Sequence, residues 1–324
     1  MSVQDEVLRE LEAHRGECVS GEALAGRLSV SRNAVWKAIR ALREAGYPID
    51  AQPGSGYALS PGCHILSTHS VARYLRAPGV RLRVEGEVDS TNACLRRAAD
   101  AGEPEGLVLL ASAQTAGRGR RGRHFYSPAG SGLYMSALLR PQLPAQDAAL
   151  MTTLAAVAVA EAVEAVSGRP AGIKWVNDVY VGGKKVCGIL TEASLDCESG
   201  ALAYAIVGIG INLTLPQTLP PELQDIMGAV FAGAQPEGDA ASRLAGDVWT
   251  RFFRAYRRLP ETAFLEAYRA RSILIGQDVD VLRPSGPVPA RAIGIDAHAG
   301  LIVRYPDGTQ ETLSSGEVSV RRAR

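Results

Sequence analysis

The chain has 324 residues, of which 35 are basic and 34 acidic, so its formal net charge at pH 7 is +1. Hydrophobic residues make up 46% and charged residues 21%, a balance typical of soluble globular proteins that excludes a disordered or low-complexity chain. The near-zero charge also excludes a general attraction of the whole molecule to nucleic acid or acidic lipid, so a polyanion site must be local.

Residues 1–62 are predicted to form a winged helix-turn-helix domain. The predicted elements are a helix carrying Val3, Val7 and Leu11 on one face, helices over residues 21–28 and 31–45, and a hairpin of residues 49–52 and 57–59. Ser31 is the predicted N-cap of the third helix. Residues 60–62, Ser-Pro-Gly, are the predicted linker to the next domain.

The third helix concentrates positive charge. The domain has seven basic and eight acidic residues, whereas residues 29–45 contain four basic residues and one acidic residue. Basic side chains neutralise phosphates and polar residues at the start of a recognition helix meet base edges, so this segment predicts DNA binding. The candidate DNA-binding residues are Ser31, Arg32, Asn33, Trp36, Lys37 and Arg40. The alternative is a merely solvated basic face with Trp36 packed against the wing.

Residues 63–271 are predicted to form one mixed α+β domain. The predicted strands cover residues 82–85, 107–113, 133–139, 173–176 and 203–211, and the long predicted helices cover residues 147–166 and 239–268. Segregated strands and helices favour an α+β arrangement over regular βαβ alternation. Residues 272–324 contain short alternating apolar runs between Pro, Gly and Asp turns, which predict a small all-β barrel.

The cysteines and the apolar runs predict a cytoplasmic protein. The five cysteines, Cys18, Cys63, Cys94, Cys187 and Cys197, are scattered and lack a C-x-x-C pair, as expected of reduced thiols. No apolar signal run is evident at the N-terminus. The longest apolar stretch, residues 148–160, is too short to span a bilayer, so no membrane association is expected.

The strongest chemical signal is the arginine loop, residues 114–124, which contains four arginines, three glycines and no acidic residue. Glycines let the backbone wrap an anion closely, and guanidinium groups match phosphate and carboxylate oxygens. The pattern Gly117-x-Gly119-x-x-Gly122 also satisfies the dinucleotide fingerprint, but no helix is predicted after it, which excludes that interpretation. A flexible basic loop that binds nucleic acid is the remaining alternative.

Further motifs accompany the loop. They are Asp89-Ser90-Thr91-Asn92, Lys174-Trp175-Val176-Asn177-Asp178, Lys185 with Gly188-Ile189-Leu190, and Gly208-Ile209-Gly210-Ile211-Asn212-Leu213. Each is weak alone, because Ser-Thr-Asn often caps a helix and Asn-Asp often forms a turn. Together and in this order, they resemble the biotin–protein ligases. With the N-terminal domain included, the whole chain resembles the bifunctional ligase and biotin operon repressor family.

The resemblance implies three domains: a winged helix-turn-helix over 1–62, a biotin/lipoate-ligase-like catalytic domain over 63–271 and an SH3-like barrel over 272–324. It also implies two reaction steps. Biotin and ATP form biotinyl-5′-AMP and pyrophosphate, and a lysine of a biotin carboxyl carrier protein then takes the biotinyl group. Such chemistry needs charge neutralisation and placement more than a protein nucleophile.

The resemblance assigns roles to residues of this chain. The implied catalytic residues are Lys185, Arg118, Arg120, Arg121 and Asp178. The implied biotin-binding residues are Ser90, Thr91, Asn92, Gln114, Arg118, Gly119, Arg120 and Lys185. The implied nucleotide-binding residues are Arg120, Arg121, Phe125, Asn177 and Asn212. Mg²⁺ is expected to accompany ATP without a dedicated protein site, near Asp178, and the residues leave open whether Asn177 and Asp178 face metal, nucleotide or the incoming lysine.

Three positions depart from the family pattern. Phe125 replaces the usual Trp after the arginine loop and loses the indole donor, and Val176 replaces a Pro, which removes a fixed φ before Asn177 and Asp178. Cys187 stands where a small apolar residue is usual and is interpreted as buried rather than nucleophilic.

The predicted function combines biotin ligation with repression of biotin genes by binding operator DNA. Two alternatives are a DNA-binding regulator that uses the ligase fold only as a biotin sensor, and a lipoate-type ligase. Dimerisation through a sheet edge, triggered by the adenylate, is carried as a hypothesis.

Overall fold

The computed structural model describes residues 2–52, 54–195, 201–233, 236 and 238–320. Its contacts divide the chain into two compact units. The first contains residues 1–75 and 235–246, and the second contains residues 76–234 and 247–324. Among the described cysteines, Cys18, Cys63, Cys94 and Cys187 are free thiols, and Cys197 lies outside the described residues.

Three helices and a hairpin form the N-terminal part of the first unit. They are α1 (Val3–Ala13), α2 (Gly21–Leu28), α3 (Arg32–Glu44), β1 (Ile49–Gln52) and β2 (Gly56–Leu59). Ser31 accepts the backbone N–H of Ala34 at 3.1 Å, so the predicted cap of α3 is confirmed. The strands pair antiparallel, as expected of the wing. The core contains Val7, Leu11, Leu24, Val35, Ile39 and Leu42, each at most 1% exposed.

The first unit also includes two elements outside the predicted domain. These are α4 (Thr68–Ala72) and the beginning of α7 (Ala240–Tyr256). Arg15 donates to Glu12 at 2.6 Å and lies 3.7 Å from Asp239, while Arg73 contacts the same Asp239 at 3.0 Å. Because Glu12 is 1% exposed, this ion network keeps its carboxylate paired inside the unit.

A seven-stranded mixed sheet forms the centre of the second unit. Its strands are β3 (Arg81–Val88), β4 (Leu107–Gln114), β5 (Gly132–Leu139), β6 (Ala171–Lys174), β7 (Asp178–Val181), β8 (Lys184–Leu195) and β9 (Leu202–Asn212). The order is β3-β4-β5-β9-β8-β7-β6, with β3 and β4 parallel and the other neighbours antiparallel. The predicted α+β class is confirmed.

The helices of this unit are α5 (Thr91–Asp100), α6 (Ala148–Ser167), most of α7 and α8 (Phe264–Arg271). The segment from 145 to 167 satisfies the length and hydropathy of a membrane span, but 72% of its apolar 18-residue window is buried inside the protein, as in a core helix. The single helix predicted over 239–268 is wrong. It is two helices, α7 and α8, separated by a segment that contains Pro260, which has no backbone donor.

The C-terminal segment forms a five-stranded antiparallel sheet. Its strands are β10 (Asp278–Arg283), β11 (Gly286–Ile295), β12 (Leu301–Arg304), β13 (Gln310–Leu313) and β14 (Glu317–Val320). The order β13-β12-β11-β10-β14 leaves β13 and β14 as edges, so no closed barrel is found in the part of the chain that is described. The predicted all-β character is confirmed at this coarser level.

Two glycines of the wing, Gly54 and Gly56, lead to a prediction about its stability. Gly56 has φ +117°, and a Cβ there would lie 2.2 Å from the carbonyl oxygen of Val19. Gly54 also has a positive φ, +80°, but a Cβ there meets nothing within 4 Å. We expect Gly56→Ala to destabilise the wing by at least about 1 kcal/mol more than Gly54→Ala, because only the first adds a backbone clash. Hydrogen–deuterium exchange of the peptides containing Val19 and β2 measures the difference, and equal protection in both variants would contradict it.

Candidate active site

A cavity of about 380 Å³ lies at one end of the central sheet in the second unit. Residues at the beginning of α5, the arginine loop, the ends of β6 to β9 and the turn before β14 line it. The cavity therefore brings together the arginine loop and the four further motifs, which are far apart in the sequence. The predicted site residues among those lining it are Ser90, Thr91, Asn92, Gln114, Arg118, Gly119, Arg120, Phe125, Asn177, Asp178 and Lys185.

The side chains at the beginning of α5 are held by a buried hydrogen-bond network. Ser136 Oγ, on β5, lies 2.7 Å from Thr91 Oγ1 and 2.6 Å from Asn92 Oδ1. Gln114 Oε1 accepts the backbone N–H of Thr91 at 2.9 Å, so this amide replaces an ordinary helix cap. Ser90 precedes the helix but its side chain makes no capping bond, which leaves its hydroxyl at the cavity wall.

Three glycines on β8 and β9, the glycine platform of Gly188, Gly208 and Gly210, shape the floor of the cavity. Gly188 and Gly210 are cross-strand partners. A Cβ on Gly210 would lie 2.4 Å from the ring of Phe125, and one on Gly208 would lie 2.1 Å from Asn92 Oδ1. The absence of side chains therefore lets Phe125 and Asn92 lie directly against the backbone of the sheet.

Phe125 keeps an aromatic face in the cavity despite replacing Trp. Its ring centroid lies 6.4 Å from that of Tyr134 with the rings nearly perpendicular, a favourable edge-to-face arrangement. The residue thus remains available for stacking.

The arginine loop is held by its backbone and by acceptors on other elements. Gly119 N donates to Arg123 O at 2.7 Å, and Phe125 N donates to Gly117 O at 2.9 Å. Arg120 donates to Asn177 Oδ1 at 3.1 Å and to Gly316 O at 3.2 Å, which joins the loop to the residues directly before β7 and β14. Burial lowers the pKa of Arg120 from its usual value, an effect that the charge of Asp178 opposes.

The other loop arginines have acidic partners. Arg118 pairs with Glu192 at 3.2 Å, and Glu317 pairs with Arg123 at 2.8 Å and Arg121 at 3.7 Å. Arg121 is not among the described residues that line the cavity. Two carboxylates distant in the sequence therefore hold three guanidinium groups of the loop.

Lys185 and Asp178, which both line the cavity, form an ion pair. Their Nζ and Oδ1 atoms are 2.8 Å apart, and the side chains are 27% and 20% exposed. Asn177 Nδ2 donates to Ile189 O at 2.9 Å, which fixes the segment preceding β7. Asn177 and Asp178 thus both line the cavity although Val176 replaces the family Pro.

Asn212 and Cys187 lie outside this lining in the described chain. The Asn212 amide donates to Gly228 O at 3.1 Å and Lys185 O at 3.4 Å, so it supports the backbone of the lysine. Cys187 is fully buried, and burial strongly raises the pKa of its thiol, which confirms its interpretation as a buried residue.

Sequence reasoning missed three side chains of the site. These are Ser136, Glu192 and Glu317, each of which contacts a predicted site residue. Of these three, Ser136 alone stands out in the sequence, as a hydroxyl within the apolar stretch 133–139.

All six candidate DNA-binding residues of the first unit are exposed. Trp36 is 50% exposed and has the Arg40 guanidinium carbon 5.9 Å from its ring centroid, whereas Val35, Ala38, Ile39 and Leu42 are buried. Helix α3 thus presents an open basic and aromatic face opposite its core face.

Family models match three stretches of the chain. They are an HTH domain over residues 3–58, the biotin/lipoate A/B protein ligase family over 87–212, and the biotin protein ligase C terminal domain over 274–321.

Similar proteins cover nearly the whole chain. It is 33% identical over 314 residues to the bifunctional ligase/repressor BirA of Bacillus subtilis (strain 168), covering 95% of this chain and 96% of that protein. The Escherichia coli (strain K12) BirA is 30% identical, with 95% and 94% covered. The solved biotin protein ligase from Aquifex aeolicus in complex with biotin and ATP has a TM-score of 0.62 and 30% identity, and covers 75% of this chain and 99% of its own. The chain therefore belongs to the family of bifunctional biotin ligase/repressors.

Proposed function

We propose that this protein uses ATP to attach biotin to one lysine of a biotin carboxyl carrier protein, a subunit of acetyl-CoA carboxylase, and represses biotin genes in its adenylate-bound form. The observation that carries the ligase activity is the convergence of Arg118, Arg120 and the Lys185–Asp178 pair on one cavity beside the glycine platform. The solved Aquifex aeolicus biotin protein ligase, which is in complex with biotin and ATP, supports the choice of biotin over lipoate.

In the first step, a carboxylate oxygen of biotin attacks the α-phosphorus of ATP, the bond to the bridging oxygen breaks, and pyrophosphate leaves with the electron pair. Arg120 and Lys185 stabilise the charge that accumulates on the α-phosphoryl oxygens, because both are partly buried and already oriented by Asn177 and Asp178. Ser90, Thr91, Asn92 and Gln114 surround biotin, and Arg118 and Gly119 lie at its carboxylate end.

In the second step, the lysine amine of the carrier attacks the acyl carbon, the bond to the phosphate oxygen breaks, and AMP leaves while the amine loses a proton. The nucleotide is held by Arg120, Arg121, Phe125 and Asn177, with Asn212 acting through the backbone of Lys185. The arginine loop excludes water from the mixed anhydride.

Magnesium is assigned to the substrate rather than to a protein site. Among the described residues, no group of three His, Cys, Asp or Glu side chains is arranged to hold a metal ion. The Asp178 carboxylate is the candidate contact, but it is already paired with Lys185. Mg²⁺ bound to ATP would neutralise phosphate charge, and no step here depends on a protein ligand to it.

The domain boundaries that we propose are 1–62 for the DNA-binding domain, 63–271 for the catalytic domain and 272–324 for an SH3-like domain. The matched residues 3–58, 87–212 and 274–321 support this division. We assign the protein to the cytoplasm, where its free thiols remain reduced. Adenylate-dependent dimerisation through a sheet edge is testable by the mass in solution with and without biotin and ATP.

The ligase activity is tested by incubating the chain with labelled biotin, ATP and a carrier domain. We expect label on the carrier lysine, and we expect Lys185→Met to reduce the rate of biotin-dependent pyrophosphate exchange by about 100-fold or more, because a transition-state charge partner is lost. Lys184→Met is the matched control, since the neighbouring Lys184 is exposed and donates to Gln224 O. No label on the carrier would refute the ligase assignment and leave the regulator-only alternative.

Arg120→Gly tests retention of the adenylate. Removing the side chain breaks the bonds to Asn177 and Gly316 O, so we expect biotinyl-AMP to dissociate at least about tenfold faster and to label lysines of unrelated proteins. Arg123→Gly is the comparison, because Arg123 is 69% exposed and pairs with Glu317. Dissociation rates measured by rapid filtration should differ between the two variants, and similar rates would contradict the role of Arg120.

Lys37→Ala tests operator binding through α3. We expect weaker binding at every sequence and a salt-dependence slope reduced by about 1, because one phosphate contact is lost. Arg27→Ala is the control, since Arg27 is exposed on α2 and pairs with Glu10. Fluorescence anisotropy of labelled operator DNA over a salt series gives the slope, and an unchanged slope for Lys37→Ala would count against this face.

A further inference from the structure

Glu192 is an acidic side chain on β8 behind the wall of the cavity. Asn92 and Arg118 line the cavity, whereas Glu192 is not among the described residues that line it. Its side chain is 24% exposed and contacts both of those lining residues. It therefore contacts the site from outside the lining of the cavity.

The two carboxylate oxygens of Glu192 have different partners. Oε2 accepts from Asn92 Nδ2 at 2.8 Å, whereas Oε1 accepts from Arg118 Nη1 at 3.2 Å and also from Arg96 of α5. One carboxylate thus joins the beginning of α5 to the arginine loop. Arg96 supplies a second positive charge, so the carboxylate stays neutralised if Arg118 shifts.

Asn92 has its orientation fixed from three directions. Its Oδ1 accepts from Ser136, its Nδ2 donates to Glu192 and also to Leu190 O at 3.3 Å, and the missing side chain of Gly208 leaves room for the amide. The amide oxygen and nitrogen consequently cannot exchange places without losing hydrogen bonds.

Within the described part of the chain, Glu192 contacts the Arg118 side chain at one nitrogen, Nη1. A guanidinium has five N–H donors, and Nη1 alone donates to Glu192, so the other edge of the group remains able to meet an anionic oxygen. A single anchored donor reduces the conformational freedom that a ligand must otherwise remove on binding.

We infer that Glu192 is a positioning residue that sets the affinity for biotin by fixing the side chains of Asn92 and Arg118 relative to each other. The inference rests on the proposed function, and it concerns the biotin end of the cavity rather than the nucleotide end. Arg120 and Asn177, assigned to the nucleotide, bond to each other and not to Glu192. Removal of the Glu192 charge therefore affects biotin much more than ATP.

The test is Glu192→Gln, which preserves size and can still accept from Asn92 through its amide oxygen. Its amide nitrogen then faces Arg118 and Arg96, so the guanidinium is released. In biotin-dependent pyrophosphate exchange we expect the KM for biotin to rise roughly tenfold and the KM for ATP to change by less than about twofold, within the range of coupled network residues.

A double-mutant cycle separates positioning from a merely structural role. In an Arg118→Ala background, Glu192→Gln is expected to produce no further rise in the KM for biotin, because the group through which it acts is absent. Additive effects of the two substitutions would overturn the inference, and so would equal changes in the two KM values or an unchanged KM for biotin. Glu192→Asp retains the charge and should raise the KM for biotin less than Glu192→Gln, which keeps the test available if the Gln variant folds poorly.

Glu85→Gln is the matched control on β3, where Glu85 pairs with exposed Arg83. It should leave both KM values unchanged. The unmodified chain is assayed in parallel: absence of biotin-dependent exchange there refutes the proposed function itself, whereas normal exchange with an unaffected Glu192→Gln variant refutes only the positioning role.

Discussion

The site depends on balancing a high local density of positive charge. Three arginines of one loop, Arg118, Arg120 and Arg123, line a single cavity together with Lys185, and such groups repel one another unless acceptors intervene. Each of the four has a partner: Arg118 pairs with Glu192, Arg120 with Asn177 and Gly316 O, Arg123 with Glu317, and Lys185 with Asp178. These partners come from the central and C-terminal sheets, so the position of the loop is determined by residues outside it.

The site also depends on the exposed backbone of the central sheet. Three glycines on β8 and β9 leave a bare surface against which the Phe125 ring and the Asn92 amide lie. The positively charged side chains thus face a floor whose glycines have no side chains to occupy the space of a ligand.

Composition and local pattern were sufficient to predict much of this architecture. The arginine loop is evident from charge density, α3 from its cap and apolar period, and the α+β class from segregated elements. The short α4 has too few residues to show a helical period, and Pro260 interrupts a pattern that otherwise continues.

The partners of the arginines were not predictable in the same way. Glu192 lies 74 residues from Arg118, and Glu317 lies 194 residues from Arg123. Nothing in the local sequence marks an isolated glutamate on a strand as the counter-ion of a distant loop, because only the strand order brings them together. The hydroxyl of Ser136 is likewise assigned by packing rather than by pattern.

The first unit is built from two distant segments of the chain, and this affects how repression can be separated experimentally from catalysis. Asp239, just before α7, belongs to the same ion network as Glu12 and Arg15, although more than 220 residues of chain lie between them. A shortened protein that begins after residue 62 would retain Asp239 and Arg73 but lose the other half of that network. In a ligase shortened in this way, Asp239 at the beginning of α7 lacks its ion partner Arg15. Single substitutions on α3 therefore separate repression from catalysis with less disturbance of the remaining structure than a truncation causes.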